Sequence, residues 1–202
     1  MDSLRVYLNQ PKVWLLGHSD GGYQVFYYAV HHNDKLNGMI ALDPRVGSDS
    51  LYMAEFMKDL EARRRFAPKL VDYFLGRDTT KYPIEEIMKM GMPLYFHDTS
   101  KVTLMPHSIN TVLSQKAWDY TIASNFGSEN LFSQLNKISV PVLVVVGDDD
   151  FICPKTSQAD RITKNILNST EVVIKDAGHM PWIEQPEQFF SECERWLQKQ
   201  KL

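Results

Sequence analysis

The chain lacks several features that would assign it at once to a class of protein. Only two of its 202 residues are cysteine, too few for a disulfide framework. No apolar run approaches the roughly 18 residues of a membrane span. The formal net charge of −3 gives no reason to expect nucleic-acid binding, and no cysteine–histidine cluster has metal-ligand spacing. We therefore expect no nucleic acid, membrane, metal or other cofactor as a partner.

What remains is the composition of an ordinary globular protein. The hydrophobic share is 44% and the charged share 23%, which suits one domain that buries roughly 70% of its unfolded-chain surface. The first five residues do not form a signal peptide, so we expect a cytoplasmic protein. Cys193 falls on the apolar face of the last predicted helix and is expected in the core.

The most informative motif is Gly-His-Ser-Asp-Gly at residues 17–21, which fits the pattern G-x-S-x-G. An apolar stretch at 13–16 predicts a short strand before it, and the pattern at 23–30 predicts a helix after it. Strand, sharp turn and helix are the context of a nucleophile elbow, in which a serine is presented at the end of a strand. Ser19 is therefore the candidate nucleophile.

The neighbours of Ser19 have expected roles of their own. A Cβ at Gly17 or Gly21 is expected to collide with the adjoining strand or helix. The backbone N–H of Asp20, at the start of the predicted helix, is expected to help hold an oxyanion. The side chain of His18 is expected to point away from the serine hydroxyl and to line the substrate pocket.

A near-continuous valine and leucine run at residues 141–146 predicts a parallel strand that is buried on both faces. It ends in Gly-Asp-Asp-Asp at 147–150, and an acid at that end of a strand lies where α/β sheets bind ligands. Asp150 is favoured as the catalytic acid, because it closes a Gly-x-x-Asp pattern before Phe-Ile-Cys-Pro. The nearby Cys153 is then expected close to the pocket.

Three other acids compete for this role. Asp148 and Asp149 precede the favoured residue and are expected to be solvated or to cap the loop. Asp43 is a weaker rival, because it also follows a predicted strand, at residues 39–42.

His179 is the candidate base. It lies in a turn-rich loop after a predicted strand at 171–174, and it follows Ser19 and Asp150 in the order that this chemistry requires. A histidine takes the serine proton and a buried carboxylate fixes its tautomer. Met180 is expected to line the substrate pocket. The chain's other histidines, which lack this placement, are His18, His31, His32, His97 and His107.

Residues 44–134 differ from the flanking segments, because no valine-rich strand pattern occurs there. Helical patterns occur instead, at 51–66, 69–75, 84–90 and 108–122. Methionines and aromatic residues are interleaved, which favours an adaptable apolar surface over the serine. His97 and His107 are weaker candidates for lining it.

These motifs together resemble the α/β-hydrolase superfamily and, within it, the proline-iminopeptidase-like branch. The resemblance rests on residues 15–22, 141–154 and 177–186. It implies an α/β-hydrolase fold with a mostly parallel sheet and helices on both faces. The core would comprise 1–43 and 135–202, and 44–134 would form an inserted helical cap. It also implies Ser19, Asp150 and His179 as nucleophile, acid and base.

One departure from that family concerns the N-terminal side. Family members carry several strands before the elbow strand, and a His-Gly-type loop there supplies a second oxyanion N–H. Here only a predicted helix at 2–9 and the strand at 13–16 precede Ser19. We expect that the chain is N-terminally truncated, that a partner chain or dimer covers the exposed sheet edge, or that activity is reduced.

The sequence therefore predicts a serine hydrolase that cleaves a carboxylic ester, a lactone or a small amide through an acyl-enzyme, with a small acyl compound or short peptide as substrate. Release of an N-terminal proline would need an acid to hold the amine, and the cap segment offers Glu55, Asp59, Glu61, Glu85 and Glu86. The alternative is a catalytically impaired homologue that binds a ligand. Dehalogenase and epoxide-hydrolase chemistry is disfavoured, since those relatives carry aspartate where this chain has Ser19.

Overall fold

A computed structural model describes residues 1–105, 113–124 and 127–200. Within them, four parallel strands form one sheet, whose spatial order follows the order in the chain. The strands are β1 (Val13–His18), β2 (Leu36–Leu42), β3 (Val142–Gly147) and β4 (Ser169–Ile174). The parallel sheet predicted from the sequence is confirmed.

The helices of the described residues connect and cover these strands. They are α1 (Asp2–Tyr7), α2 (Asp20–His32), α3 (Ser50–Ala62), α4 (Pro68–Phe74), α5 (Ile84–Gly91), α6 (Gln115–Ala123), α7 (Ala159–Asn165), α8 (Pro181–Glu184) and α9 (Pro186–Lys199). Short 3₁₀ turns occur at Asn33–Lys35, Met92–Tyr95, Thr99–Leu104 and Phe132–Lys137. None of these helices combines the length and the hydropathy needed to span a bilayer.

Both faces of the sheet are covered, because the central strands are apolar on both sides. Every residue of β3 is buried. Successive side chains of β2 point to opposite faces of the sheet and join different hydrophobic clusters. Met39 packs with α2 and α7 on one face, and Ile40 packs with α9 on the other. Trp14 of β1 meets Trp196 of α9 edge to face, with ring centroids 5.9 Å apart. This arrangement is a doubly covered α/β sheet.

The strand register brings the candidate chemistry to one edge of the sheet. His18 lies opposite Leu42, and Gly147 lies opposite Ile174, so the carboxyl ends of the strands lie level with each other. The segments that follow these ends carry Ser19, Asp43, Asp150 and His179. Ligands of open α/β sheets bind at that edge.

β1 is an edge strand of the described sheet, and its residue Leu16 is 62% exposed. That a partner chain covers this edge stays a prediction.

Between β2 and β3 the described residues contain helices and turns and no strand. Leu60, Leu70 and Ile87 form an apolar cluster there, which Phe151 joins from the loop after β3. The segment therefore packs against the loop that carries Asp150. Its assignment as an inserted cap over 44–134 stays a prediction. The first five residues of the helix predicted at 108–122 lie outside the described residues.

Candidate active site

Ser19 occupies a strained turn between β1 and α2. Its φ of 57° and ψ of −121° are unusual for a residue with a Cβ, and such strain concentrates at functional sites. The turn is fixed by two backbone hydrogen bonds: the Ser19 N–H donates to the carbonyl of Leu42 at 2.9 Å, and the Tyr23 N–H donates to the carbonyl of Ser19 at 3.2 Å. The sharp strand-to-helix turn predicted from the motif is present.

The glycines of the motif differ in how much room they have. A Cβ on Gly17 would lie 2.2 Å from the carbonyl oxygen of Gly21, so the predicted collision at Gly17 is confirmed. The same prediction for Gly21 was wrong, because a Cβ there would meet nothing within 4 Å. The second tight position is Gly22, whose Cβ would lie 2.9 Å from the Cβ of Pro44. The first turn of α2 presents Gly22, not Gly21, to the chain that follows β2.

Asp150 and His179 form a buried hydrogen-bonded pair. The Nδ1 atom of His179 lies 2.7 Å from Oδ2 of Asp150, and both side chains are almost fully buried. The other oxygen, Oδ1, accepts the backbone N–H groups of Ile152 at 2.8 Å and Cys153 at 3.2 Å. A carboxylate held in this way fixes the ring orientation and the tautomer of the histidine.

The electrostatics of Asp150 favour its ionised form. Burial by itself would raise the pKa of Asp150, but the adjacent His179 and the two backbone N–H donors outweigh burial and lower it. Asp150 is therefore a carboxylate at neutral pH, as an acid that orients a base must be.

His18 links the elbow to the histidine loop. Its Nε2 donates to the backbone carbonyl of His179 at 2.9 Å. Its ring packs at 4.5 Å from the ring of His179 and at 4.6 Å from that of Trp182. Burial, with His179 as the second cause, lowers the pKa of His18 to about 3, so the ring is neutral at neutral pH. His18 thus joins Ser19 to the Asp150–His179 pair, and its predicted place in a substrate pocket stays a prediction.

The loop that carries His179 is held by groups that the sequence did not single out. The carbonyl of Tyr95 accepts the backbone N–H of His179 at 2.7 Å. Oε2 of Glu184 accepts the N–H of Gly178 at 2.6 Å, and its Oε1 accepts the N–H of Asp98 at 3.0 Å. Glu184 is only 3% exposed. The sequence does contain a signal for Glu184, because it is an acid in the otherwise apolar stretch after His179. Tyr95 acts through its backbone carbonyl, so its side-chain type gives no signal in the sequence.

The remaining acids have other partners. Asp149 binds the guanidinium of Arg63 and lies 3.0 Å from Nδ1 of His97. Asp148 is exposed and accepts the Ala177 N–H at 3.3 Å, which agrees with its predicted loop-capping role. Asp43, in contrast, is completely buried beside Asp150.

The other predicted pocket residues lie in different surroundings. Met180 is 6% exposed and packs with Met92, Phe96 and Met105. His97 is exposed and pairs with Asp149. His107 lies outside the described residues. This methionine cluster is buried next to the histidine loop. That methionines and aromatic residues form an adaptable apolar surface over Ser19 stays a prediction.

Two groups of side chains bring potential metal ligands within 4.8 Å of one another: His18, Asp43 and His179, and Asp150, Cys153 and His179. The donors do not suit a cation. Burial raises the pKa of the Cys153 thiol well above its usual value, and burial likewise raises the pKa of Asp43. His179 Nδ1 is already bound to Asp150. Metal ligands must be deprotonated and free to bind, so these groups are not suited to hold a metal ion.

Comparison with known proteins assigns the family. The α/β-hydrolase fold family matches residues 1–186, and the chain belongs to it. Within that family it falls in the proline-iminopeptidase-like branch. It is 25% identical to a proline iminopeptidase of Lactobacillus acidophilus, over 98% of this chain and 69% of that protein.

Solved structures agree with this assignment. A thermophilic esterase from Thermogutta terrifontis is 28% identical, with a TM-score of 0.62 over 98% of this chain and 70% of that one. An esterase from Exiguobacterium antarcticum is 18% identical, with a TM-score of 0.71 over 98% and 71% of the two chains, and shows the shared fold. The family supports hydrolase activity in general.

Proposed function

We propose that this chain is a serine hydrolase that cleaves a small carboxylic ester through an acyl-enzyme, with lactones and small amides as related substrates. The observation that carries the proposal is the buried 2.7 Å contact between Asp150 and His179, next to the strained turn that presents Ser19. A histidine oriented by a carboxylate beside a half-buried serine is the arrangement that nucleophilic catalysis needs.

The proposed steps use these groups in turn. The Ser19 Oγ attacks the ester carbonyl while His179 Nε2 takes the hydroxyl proton, and Asp150 stabilises the resulting imidazolium. His179 then returns the proton to the leaving alkoxide as the ester C–O bond breaks. Water, deprotonated by His179, hydrolyses the acyl-serine and regenerates the hydroxyl. The N–H of Asp20 supplies one contact to the oxyanion.

The choice of an ester over an N-terminal proline amide rests on the acids of the helical segment. Binding the amine of a proline substrate would need an acid without a structural partner. Glu55 accepts the backbone N–H of Ser157 at 3.0 Å, and Glu61 pairs with Arg64 and Arg77. Two of the five candidate acids therefore already have structural partners. The methionine cluster around Met180 instead favours an apolar acyl group.

The experiment compares p-nitrophenyl acetate and butyrate with proline p-nitroanilide. The wild type is expected to release p-nitrophenol in a burst of about one equivalent followed by slower turnover, which is the sign of an acyl-enzyme. Ser19→Ala is expected to abolish the burst, and Ser133→Ala, at an exposed position, is the matched control. Equal turnover by Ser19→Ala would contradict the proposal, and turnover of the anilide alone would reverse the substrate choice.

A second candidate is a ligand-binding homologue with impaired chemistry. It is favoured by one observation: within the described ranges, the Ser19 hydroxyl forms no hydrogen bond with His179. Such contacts often tighten only when substrate binds. Saturable binding of an ester without any burst would select this candidate.

A further inference from the structure

Asp43 is a buried acid that the proposed mechanism does not use. It follows β2 in a left-handed conformation, with a φ of 44°, and it is 0% exposed. Its backbone N–H donates to the carbonyl of Val145 at 2.7 Å, and its Oδ1 accepts the N–H of Gly147 at 2.9 Å. Asp43 is thus fixed to Val145 and Gly147, which lie in the last three residues of β3.

The second oxygen, Oδ2, has no donor facing it in the part of the chain that the structure describes. A side-chain hydrogen bond to Asp150 is within reach, and a carboxyl oxygen of Asp43 lies within 4.8 Å of ring nitrogens of His18 and His179. The neighbouring carboxyl group of Asp150 is itself an acceptor, so two ionised carboxylates could not bond to each other.

A proton on Asp43 resolves this conflict. A buried acceptor without a donor is costly, and two adjacent buried charges of the same sign are more so. Burial, followed by the charge of Asp150, raises the pKa of Asp43 well above its usual value. Four other titratable groups lie around Asp43. Glu184 and Cys153 are acidic groups, and His18 is neutral at neutral pH. His179 also lies within 4.8 Å, but its Nδ1 is bound to Asp150 and not to Asp43.

We propose that Asp43 is a neutral carboxylic acid whose Oδ2 hydroxyl donates to the carboxylate of Asp150 and so holds it in line with His179 Nδ1. Asp43 is then a positioning residue, and the proposal deepens the proposed function and rests on it for its catalytic consequence. The ionised partner is Asp150, because it accepts two backbone N–H groups and His179, whereas Asp43 accepts the N–H of Gly147 alone.

Infrared spectroscopy tests the protonation state without relying on activity. With ¹³C-labelled aspartate, the wild-type protein is expected to show a protonated-carboxyl band at neutral pH, and Asp43→Asn is expected to lack it. Asp150→Asn is the matched control in which the band should persist. Absence of the band from wild type, or its loss only in Asp150→Asn, would overturn the proposal. The band reports the protonation state of Asp43, and the positioning role needs a kinetic test.

Reaction with a fluorophosphonate probe tests the positioning role. Asparagine imitates a neutral acid, since its carbonyl can accept the Gly147 N–H and its amide can donate to Asp150. Asp43→Asn is therefore expected to keep the labelling rate within about tenfold of wild type, whereas Asp150→Asn should lose about 10³- to 10⁴-fold. Asp43→Leu, which can do neither, should label at least about 100-fold more slowly than Asp43→Asn, because Asp150 and His179 lose their alignment.

The outcomes separate the two proposals. A folded Asp43→Asn that labels as poorly as Asp150→Asn would overturn the role given to Asp43. Wild-type protein that does not label would overturn the proposed function, and the infrared band would then decide the protonation state of Asp43 by itself.

Discussion

The carboxylate of Glu184 accepts the backbone N–H of Gly178 at 2.6 Å, one residue before the candidate base His179. Its other oxygen accepts the N–H of Asp98 from the helical segment between β2 and β3. One buried side chain thus ties the histidine loop to that segment, and both of its oxygens are needed as acceptors.

Replacing Glu184 by glutamine should loosen this connection. The amide nitrogen would face a backbone donor, so we expect Glu184→Gln to lower the free energy of unfolding by about 1–3 kcal/mol. Urea denaturation measures this change. Glu187→Gln, at an exposed position in the first turn of α9, is the control and should change stability by less than about 0.5 kcal/mol. Equal effects of the two substitutions would show that the buried carboxylate has no special role.

The two outer glycines of the elbow motif should respond differently to alanine. A Cβ at Gly17 would lie 2.2 Å from a backbone oxygen that cannot move away, whereas one at Gly21 meets open space. We expect Gly17→Ala to cost about 3 kcal/mol or more and Gly21→Ala to change stability by less than about 0.5 kcal/mol. Thermal unfolding of both variants checks this, and comparable losses would contradict the described turn.

Because His18 is buried, we expect the free energy of unfolding to decrease at acid pH. Its pKa is about 3 in the folded protein against 6.5 as a free side chain, so below about pH 6.5 the unfolded chain binds a proton that the folded chain does not. Stability is therefore full above that pH and declines as the pH falls towards 3.

The variant His18→Gln isolates this effect, because its amide can still donate to the His179 carbonyl but does not titrate. Between pH 7 and 5, the wild type should lose up to about 2 kcal/mol more than the variant in urea denaturation. Parallel losses in the two proteins would refute the assignment of a neutral buried imidazole.

Both cysteines should be unreactive in the folded protein. Cys153 is 1% exposed, and burial raises its pKa well above the usual value, while burial raises the pKa of Cys193 to about 11. Because the thiolate is the reactive form, a thiol reagent should titrate neither group in native protein and both in urea. Rapid native reaction of Cys153 would show that the pocket side of this loop is open to solvent.

Much of this fold follows from local patterns in the sequence. The valine run of β3 predicts a strand buried on both faces, and the order of Ser19, Asp150 and His179 places each after a strand end. The residues at which strands begin and end are less predictable, because they depend on hydrogen bonding with the neighbouring strand. Residues 17 and 18 suggest a turn, yet β1 continues through His18 because it pairs with Leu42.

Gly38 shows why β2 was predicted too short. The sequence pattern predicts a strand at residues 39–42, and a glycine inside a strand pattern weakens the expectation of a strand. In the structure β2 begins at Leu36, and a Cβ on Gly38 would lie 2.1 Å from the ring of Trp14. The glycine makes room for an indole from the neighbouring strand, which only the three-dimensional pairing reveals.

The surroundings of the candidate site were the least predictable part. Asp43 and Asp150 both follow strands, and their sequence context gives only a preference for Asp150 as the catalytic acid. Their difference comes mainly from long-range neighbours: His179 for Asp150, and burial beside another carboxylate for Asp43. Local sequence does not encode such contacts.

In the proposed function, Ser19 is activated by His179. Intact mass after treatment with a fluorophosphonate probe tests it most directly, on wild type, Ser19→Ala and His179→Ala, with Ser133→Ala as a control. We expect one covalent adduct on wild type and on Ser133→Ala, and none on the other two variants. A well-folded wild type without an adduct, or an adduct that persists in Ser19→Ala, would contradict it.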